Sequence, residues 1–246
     1  MEQTKTEWFA GWFDSPWYHL LYQNRDQLEA EAFVAALMEK LLIPQPSDVL
    51  DLACGMGRHA RYIHSLGHRV LGVDLSENSI AAASEFEKEG LKFRSGDMRQ
   101  PQGKEAFDLV LNLFTSFGYF DDEEDNLRVL RAIHTALKPG GLLLLDFMNT
   151  SRVIRELIPE NEVRRGEITF YLSRKLENGS IVKTIRFEEN GRQQQFFERV
   201  QALSKQDFLR YFVKSGLELV LLSGNYALEP FVEDSSDRMI FLVRKS

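Results

Sequence analysis

The sequence predicts a doubly wound α/β domain, a mostly parallel seven-stranded sheet with an antiparallel β meander inserted late in the chain. Three observations carry this. The run Val49–Ala60, VLDLACGMGRHA, passes from an apolar strand through a glycine-containing turn into a helical pattern. Strand-like and helix-like segments then alternate as far as Thr150, which indicates a parallel sheet covered on both faces. Beyond Thr150, three strand-like runs are joined by Asn178-Gly179 and Asn190-Gly191, dipeptides that mark tight hairpins.

The elements follow in order. Asp26–Leu42 is a helix, with Leu28, Ala32, Ala35, Ala36, Met38 and Leu42 at steps of three and four, stopped by Pro44 and Pro46. Val49–Leu52 is the first strand, and Arg58–Leu66 a helix ended by Gly67. Arg69–Val73 is the second strand. Ser76 caps a helix running to Glu89, with Gly90 after it. Leu91–Arg94 and Phe107–Leu113 are strands three and four. Asp121–Leu137 is a helix in which Asp121 and Glu124 resemble a capping box. Lys138-Pro139-Gly140-Gly141 is a turn before the apolar strand Leu142–Phe147. The meander takes Glu167–Glu177, Ile181–Glu189 and Gln193–Leu203. Ser204 and Asp207 open a last helix ended by Gly216, and Leu217–Leu222 and Arg238–Val243 are the final strands, separated by an acidic loop from Ser223 to Asp237. The organisation expected is a helical lid segment over 1–47, a ligand-binding domain over 48–150 and 204–246, and an inserted subdomain over 151–203.

Composition sets the outer limits. The chain has 246 residues, 43% hydrophobic and 27% charged, as in ordinary globular proteins. A net charge of −7 gives no electrostatic basis for general nucleic-acid affinity. One cysteine excludes an internal disulfide and a cysteine-rich zinc site, and suits a reducing cytoplasm. No apolar stretch approaches the roughly 18 residues that span a bilayer, and the aromatic N-terminus does not read as a signal peptide. No metal is expected: His59 and His64 are five apart, and Gly67 ends the helix before His68, so no two form a helical i, i+4 zinc pair.

The glycine turn is where the chemistry begins. Glycines let the backbone approach a ligand, and a helix N-terminus offers free N–H groups. Asp51, just before the turn, would repel a pyrophosphate and attract an ammonium, which favours S-adenosylmethionine over a dinucleotide. The rival is NAD, because Gly55-Met56-Gly57-Arg58-His59-Ala60 also matches G-x-G-x-x-G/A, with Asp74 near the expected distance.

Five motifs in order resemble the class I S-adenosylmethionine-dependent methyltransferases: VLDLACGMGRHA, VLGVDLSENSI with Asp74 ending strand two, Gly96-Asp97-Met98, FDLVLNLFTSFGYF, and LKPGGLLLLDF. Ala53 stands where that family usually has its first glycine. The resemblance implies a Rossmann-like fold and S-adenosyl-L-methionine as cofactor. It implies that Asp51, Ala53, Gly55 and Gly57 hold the methionine part, and that Asp74 accepts from the ribose hydroxyls. Asp97 would accept from the adenine amino group, Leu75 and Met98 would pack on the ring, and Leu113 would meet the cofactor from strand four. Tyr22 joins this set from the N-terminal segment, whose Trp8, Phe9, Trp12, Phe13, Trp17, Tyr18 and Tyr22 suggest a lid; Tyr18, His19, Tyr22 and Arg25 are its polar groups in reach.

Methyl transfer from a sulfonium needs alignment and exclusion of water more than a catalytic triad, and the chain shows no triad. NLFTSFGYF resembles the segment of small-molecule N-methyltransferases acting on amino sugars, and Tyr119 in it is the candidate catalytic residue. Asn149 is either a second wall residue or a helix cap. The expected activity is methylation of a small molecule on nitrogen or oxygen. One alternative is a tRNA or other nucleic-acid methyltransferase; the Asn/Asp-Pro-Pro-Tyr/Phe motif of the amino-methylating ones is absent, because Asn112-Leu113-Phe114-Thr115 stands there. Another is a cofactor-binding protein without catalysis. The meander either roofs the acceptor pocket or pairs two subunits into a homodimer.

Overall fold

The described residues of this computed structural model are 8–22, 27–40 and 43–246. Three helices come first: α1 (Trp8–Phe13), α2 (Pro16–Leu21) and α3 (Gln27–Lys40). The alternating part runs β1 (Asp48–Leu52), α4 (Arg58–Ser65), β2 (Arg69–Asp74), α5 (Glu77–Ser84), β3 (Leu91–Ser95), β4 (Phe107–Asn112), α6 (Glu123–Ala136) and β5 (Leu137–Met148). A short helix, α7 (Thr150–Arg155), leads into β6 (Glu160–Arg165), β7 (Ile168–Glu177), β8 (Ser180–Glu189) and β9 (Arg192–Gln201). The chain closes with α8 (Lys205–Lys214), β10 (Leu217–Ser223) and β11 (Arg238–Lys245). Asp26 and Leu42, expected as helix ends, and Arg25 lie outside the described residues.

The first sheet has the order β10-β11-β5-β4-β1-β2-β3. β1 lies parallel to both β2 and β4, and β4 parallel to β5, while β11 runs antiparallel to β5 and β10. The order reverses between β1 and β4, and open α/β sheets bind ligands at the carboxyl ends beside such a reversal. Alternation along the strands feeds two cores. Leu50, Leu52, Leu143, Leu145, Phe147, Phe241 and Val243 face α6 and α8, where Leu130, Phe208 and Phe212 are buried. Val49, Leu109, Leu111, Leu144 and Leu242 face α3 and α4, with Phe33, Leu37, Ala60 and Ile63. Each large side chain so buried stabilises the fold by about 1.5–3 kcal/mol.

The second sheet is an antiparallel meander, β6-β7-β8-β9. Both expected hairpins are present, with Asn178 and Gly179 at φ 48° and 72° and Asn190 and Gly191 at φ 49° and 73°, the left-handed pairs that suit two-residue turns. The meander has four strands where the sequence indicated three. β6, ENEVRR, has no apolar alternation to reveal it; it pairs with β7 from Glu160↔Ser173 to Arg165↔Ile168, and charge is common on edge strands. The inner face, Phe170, Leu172, Ile185 and Phe187, packs against Trp12 and Leu21 of the N-terminal helices.

Two other expectations are corrected. The helix after Ser76 ends at Ser84, not Glu89, because Glu87 turns back: its Oε1 accepts from the Phe93 N–H at 2.8 Å and Lys88 bridges Leu91. Asp122, not Asp121, caps α6, accepting from the Glu124 N–H; Asp121 instead pairs with Arg199. Among the described residues, no helix is long and apolar enough to cross a membrane.

Candidate active site

The Val49–Ala60 run folds as a strand, a tight turn and a helix. Three residues of the turn have left-handed backbone, Ala53 (φ 64°), Gly55 (φ 54°) and Gly57 (φ 75°). The Ala53 and Cys54 N–H groups donate to Val73 O at 2.8 and 3.0 Å, which fastens the turn to β2. The two glycines do different things. A Cβ on Gly55 would enter open space, whereas one on Gly57 would stand 2.4 Å from the Phe93 ring. Gly57 does not line the cavity; it lets α4 pack closely.

That cavity, about 450 Å³, lies at the carboxyl ends of β1, β2 and β4. Asp51, Ala53, Gly55, Asp74, Leu75, Asp97, Met98, Leu113 and Tyr119 line it, and Phe9, Phe13, Tyr18, His19 and Tyr22 close it from the N-terminal helices. Cys54 is a buried wall residue whose thiol pKa burial pushes up, so it is no nucleophile. His59, read from sequence as an ordinary helix residue, is also in the wall and stacks on Phe114 at 5.0 Å.

Asp51 is the unusual group. It is 2% exposed. It accepts from the Ala60 N–H, yet its Oδ2 is buried with no hydrogen-bond partner. Burial pushes its pKa up to about 7, Asp74 adds to this, and the Ala60 N–H and Arg58 oppose it. A buried carboxylate without a counter-charge is costly, so this oxygen suits a cationic ligand. The Asp74 carboxylate accepts from Gly55 N at 2.7 Å and Ser76 N at 2.9 Å. Burial raises its pKa against those bonds. Asp97 is engaged by Arg99, whose Nη2 donates to Oδ2 at 2.6 Å and whose backbone N–H donates to Oδ1 at 2.8 Å; its carboxylate is therefore less open to an adenine than the sequence suggested.

Side chains fasten the N-terminal helices to the rest of the chain. Asp14 accepts from Ser76 Oγ at 2.6 Å and Asn78 Nδ2 at 2.8 Å, docking the α1–α2 turn on the start of α5. Tyr22 Oη donates to Glu198 of β9 at 2.6 Å, and Glu198 also accepts from Trp12 Nε1 at 2.8 Å and faces Lys183 Nζ at 3.5 Å. His19 Nε2 is buried without a partner in the cavity wall, and burial lowers the His19 pKa against the pull of Asp14 and Asp74.

A second cavity of about 420 Å³ adjoins the first and shares Phe13, Tyr18, Arg58, Phe114, Ser116 and Tyr119 with it. Its further walls are Trp8, Met148, Tyr226, Arg238 and, from the inserted sheet, Glu198 and Val200. Two residues of β9, Glu198 and Val200, thus stand in a cavity wall. Tyr119 stands where the cavities meet and donates its Oη hydrogen to Thr115 O at 2.7 Å. Asn149 is in neither wall; it starts α7 and its Nδ2 donates to Glu233 O and Ser236 O.

Sequence reasoning missed the support beneath this second cavity. Phe114 and Thr115 both have positive φ, 57° and 64°, a strained state for bulky and β-branched residues costing about 1–3 kcal/mol each. Asp146, fully buried on β5, imposes it. Its Oδ2 accepts from Phe114 N at 2.8 Å and Tyr226 Oη at 3.3 Å, its Oδ1 from Arg238 Nε at 2.8 Å, and its backbone O from Thr115 N at 2.9 Å. The aspartate in LLLLDF was the available signal, a charge closing an apolar strand.

Residues 49–141 match the methyltransferase domain family. Among curated relatives, the chain is 28% identical over 130 residues, 52% of its own length and 54% of the other, to a dTDP-3-amino-3,4,6-trideoxy-α-D-glucopyranose N,N-dimethyltransferase of Streptomyces venezuelae. It is 30% identical over 158 residues, 62% of its length and 58% of the other, to a glycine/sarcosine N-methyltransferase of Aphanothece halophytica. The chain thus spans between 49% and 59% of such relatives. An S-adenosylmethionine-dependent methyltransferase from Clostridium acetobutylicum superposes with a TM-score of 0.77 at 21% identity, covering 96% of this chain and 97% of that one. Over residues 49–141, the chain therefore matches a methyltransferase domain, and its fold is that of the superposed enzyme.

Proposed function

We propose that the protein transfers a methyl group from S-adenosylmethionine to a nitrogen or oxygen of a small molecule. One observation carries the reading: the partnerless oxygen of Asp51 on the floor of the first cavity. An ammonium or sulfonium answers that charge, while the anions Asp51 and Asp74 oppose a pyrophosphate, which disfavours NAD. The open space at Gly55 and the size of the cavity fit the same ligand.

When bound, S-adenosylmethionine supplies a methyl group on a positively charged, readily leaving sulfur. The protein's own residues do the rest. Asp51 and the Ala53–Gly55 backbone hold the amino-acid end, Asp74 the ribose, and Leu75, Met98 and Leu113 the apolar surfaces. Phe9, Phe13, Tyr18 and Tyr22 exclude water from above. Tyr119, its proton committed to Thr115, offers its oxygen as a hydrogen-bond acceptor to the nucleophile and orients it. The amino-sugar and glycine/sarcosine enzymes among the relatives are N-methyltransferases by name, which favours nitrogen. The net charge of −7 disfavours nucleic acid as acceptor, and a second cavity adjoining the first favours transfer over cofactor binding alone.

The lid over 1–47 and the insertion over 151–203 belong to the same reading, as do a cytoplasmic setting and pairing of two copies along the inserted sheet, which sedimentation tests. The central test is calorimetric titration with S-adenosylmethionine and S-adenosylhomocysteine, then labelled-methyl transfer across a panel of small amines and alcohols. Absence of binding to both cofactor forms sinks the proposal, and saturable labelling of bulk tRNA would replace it with the nucleic-acid reading.

A further inference from the structure

We infer that the second cavity takes an uncharged molecule with an aromatic ring, held by contact with the rings of its walls and not by charge. The inference rests on the proposed methyl transfer only in calling that molecule the acceptor; the preference itself is a property of the walls.

The charged side chains of the walls, Arg58, Arg238 and Glu198, are already answered within the protein. Arg58 acts on the Asp51 carboxylate, its Nη2 lies 3.3 Å from His59 Nε2, and its Cζ stands 5.7 Å from the centre of the Phe114 ring. Arg238 donates from Nε to Asp146 Oδ1 at 2.8 Å and from Nη2 to Thr115 Oγ1 at 2.9 Å, and the charge of Asp237 acts on it too. Glu198 accepts from Trp12 Nε1 at 2.8 Å and Tyr22 Oη at 2.6 Å and faces Lys183 Nζ at 3.5 Å. A charged ligand would shed its hydration here without meeting an unanswered opposite charge, which is costly. An uncharged one avoids that cost.

What the walls offer instead is ring surface. Trp8, Phe13, Tyr18, Phe114, Tyr119 and Tyr226 all line this cavity. Phe117, Phe147 and Phe208 of the core are fully buried, whereas each of these six is only partly so. Each therefore leaves carbon surface uncovered, and the uncovered parts gather in one space, as in sites for small organic ligands. Trp8, Phe13, Tyr18 and Tyr119 form one group, with neighbouring centroids 5.0 to 5.7 Å apart. Phe114 and Tyr226 form another, 5.7 Å apart. Trp8 meets Tyr119, and Phe13 meets Tyr18, edge to face, an arrangement that a further ring can join and a saturated skeleton cannot. Two of the hydroxyls on these rings are engaged below the surface: Tyr119 Oη donates to Thr115 O at 2.7 Å and Tyr226 Oη to Asp146 Oδ2 at 3.3 Å. An uncharged amine or hydroxyl on the ligand's ring also keeps the lone pair that a nucleophile needs.

The test uses four probes of one bicyclic skeleton, substituted at the same carbon: naphthol, its saturated counterpart decalol, naphthoate and naphthylmethylamine. Each is titrated by calorimetry into the full-length protein at neutral pH, with and without S-adenosylhomocysteine. Naphthol binds saturably in both cases, about tenfold or more tighter than naphthoate and naphthylmethylamine and about fivefold or more tighter than decalol, and added salt leaves its affinity unchanged. Trp8 and Tyr226 line the second cavity but not the first, so they report where the probe sits. Trp8→Leu and Tyr226→Leu each weaken naphthol about fivefold or more, while Trp8→Phe, which restores a ring, keeps most of the affinity. A cooperative melt certifies the fold of each variant; should Tyr226→Leu not fold, the two Trp8 variants and the order of the probes decide. Equal or tighter binding of decalol or of either charged probe, binding of none of the four, displacement of naphthol by S-adenosylhomocysteine, or naphthol affinity unchanged in the leucine variants that fold overturns the inference. Absence of S-adenosylhomocysteine binding by the wild type would instead strike the methyl-transfer reading and leave the order of the four probes to be read by itself, so the two failures are distinguishable.

Discussion

The two adjoining cavities are built from opposite materials. The first is a product of one local segment and the sheet: strand ends deliver Asp51, Asp74 and Leu113 to one crevice, and its floor is acidic. The second draws on α1, the loop after β4, β5, β9, the loop before β11 and β11 itself, and its wall holds two arginines and a glutamate. A single buried charge is tolerable in each for a different reason. Asp51 has an oxygen without partner, so its compensation must arrive with a ligand. Asp146 is compensated at once, by Arg238, Tyr226 and the Phe114 N–H, and spends that bonding on shaping the wall.

The contrast can be broken most severely at Asp146. Asp146→Asn leaves Arg238 buried without its counter-charge, which costs about 3–5 kcal/mol; the melting temperature should fall on the order of 10 °C. The second cavity should lose its shape while cofactor affinity stays within a few fold. A matching loss of both would show that the cavities are not separable.

Gly57→Ala should cost about 2–4 kcal/mol from left-handed strain and the clash with Phe93, read by denaturant titration. Gly55→Ala, with open space at its Cβ, should stay within about 2 kcal/mol of wild type and act on cofactor binding instead. Equal stability losses at the two glycines would contradict their separate roles.

Asp51→Asn should split stability from binding. In the folded protein, the Asp51 pKa is up to about 7 from 3.8. The folded state thus holds a proton that the unfolded chain has lost, and this group's contribution declines as pH rises from about 4 to 7. At pH 8, the asparagine variant should melt higher than wild type. It should also bind S-adenosylmethionine about 10- to 100-fold more weakly, the effect of losing a charged hydrogen bond of about 1.5–3 kcal/mol. Wild-type affinity should rise between pH 6 and 8 as Asp51 ionises, and the variant should lose that rise. A variant that binds normally would remove Asp51 from the site.

The smallest effect is expected at the lid. Glu198→Gln weakens the contact of β9 with Tyr22, Trp12 and Lys183 and should cost about 1 kcal/mol. Tryptophan fluorescence should report a looser lid, with unchanged emission arguing against a latch.

Much of the first cavity was legible because its signals are local. The strand, the turn and the start of the helix lie within twelve residues, Asp74 closes β2, and Asp97 lies just past β3. What was misread there depended on neighbours: Arg99 occupying Asp97, and Phe93 making Gly57 a packing residue. Of the second cavity, the segment through Tyr119 and the aromatics Trp8, Phe13 and Tyr18 were visible. β6 was missed because an edge strand held by backbone pairing needs no apolar period. Asp146, Arg238 and Tyr226 were missed because their meaning is in each other, across 80 to 92 residues of chain.

By itself, then, the sequence determined the alternation that makes the sheet, the hairpins of the insertion, and the acidic residue before the turn. Each follows from local periodicity, backbone conformation or one charge. Tertiary structure alone decided which charges are answered and which are left open. Burial and counter-ions are set by residues that meet only once the chain has folded, and so the character of the second cavity could not be read in advance.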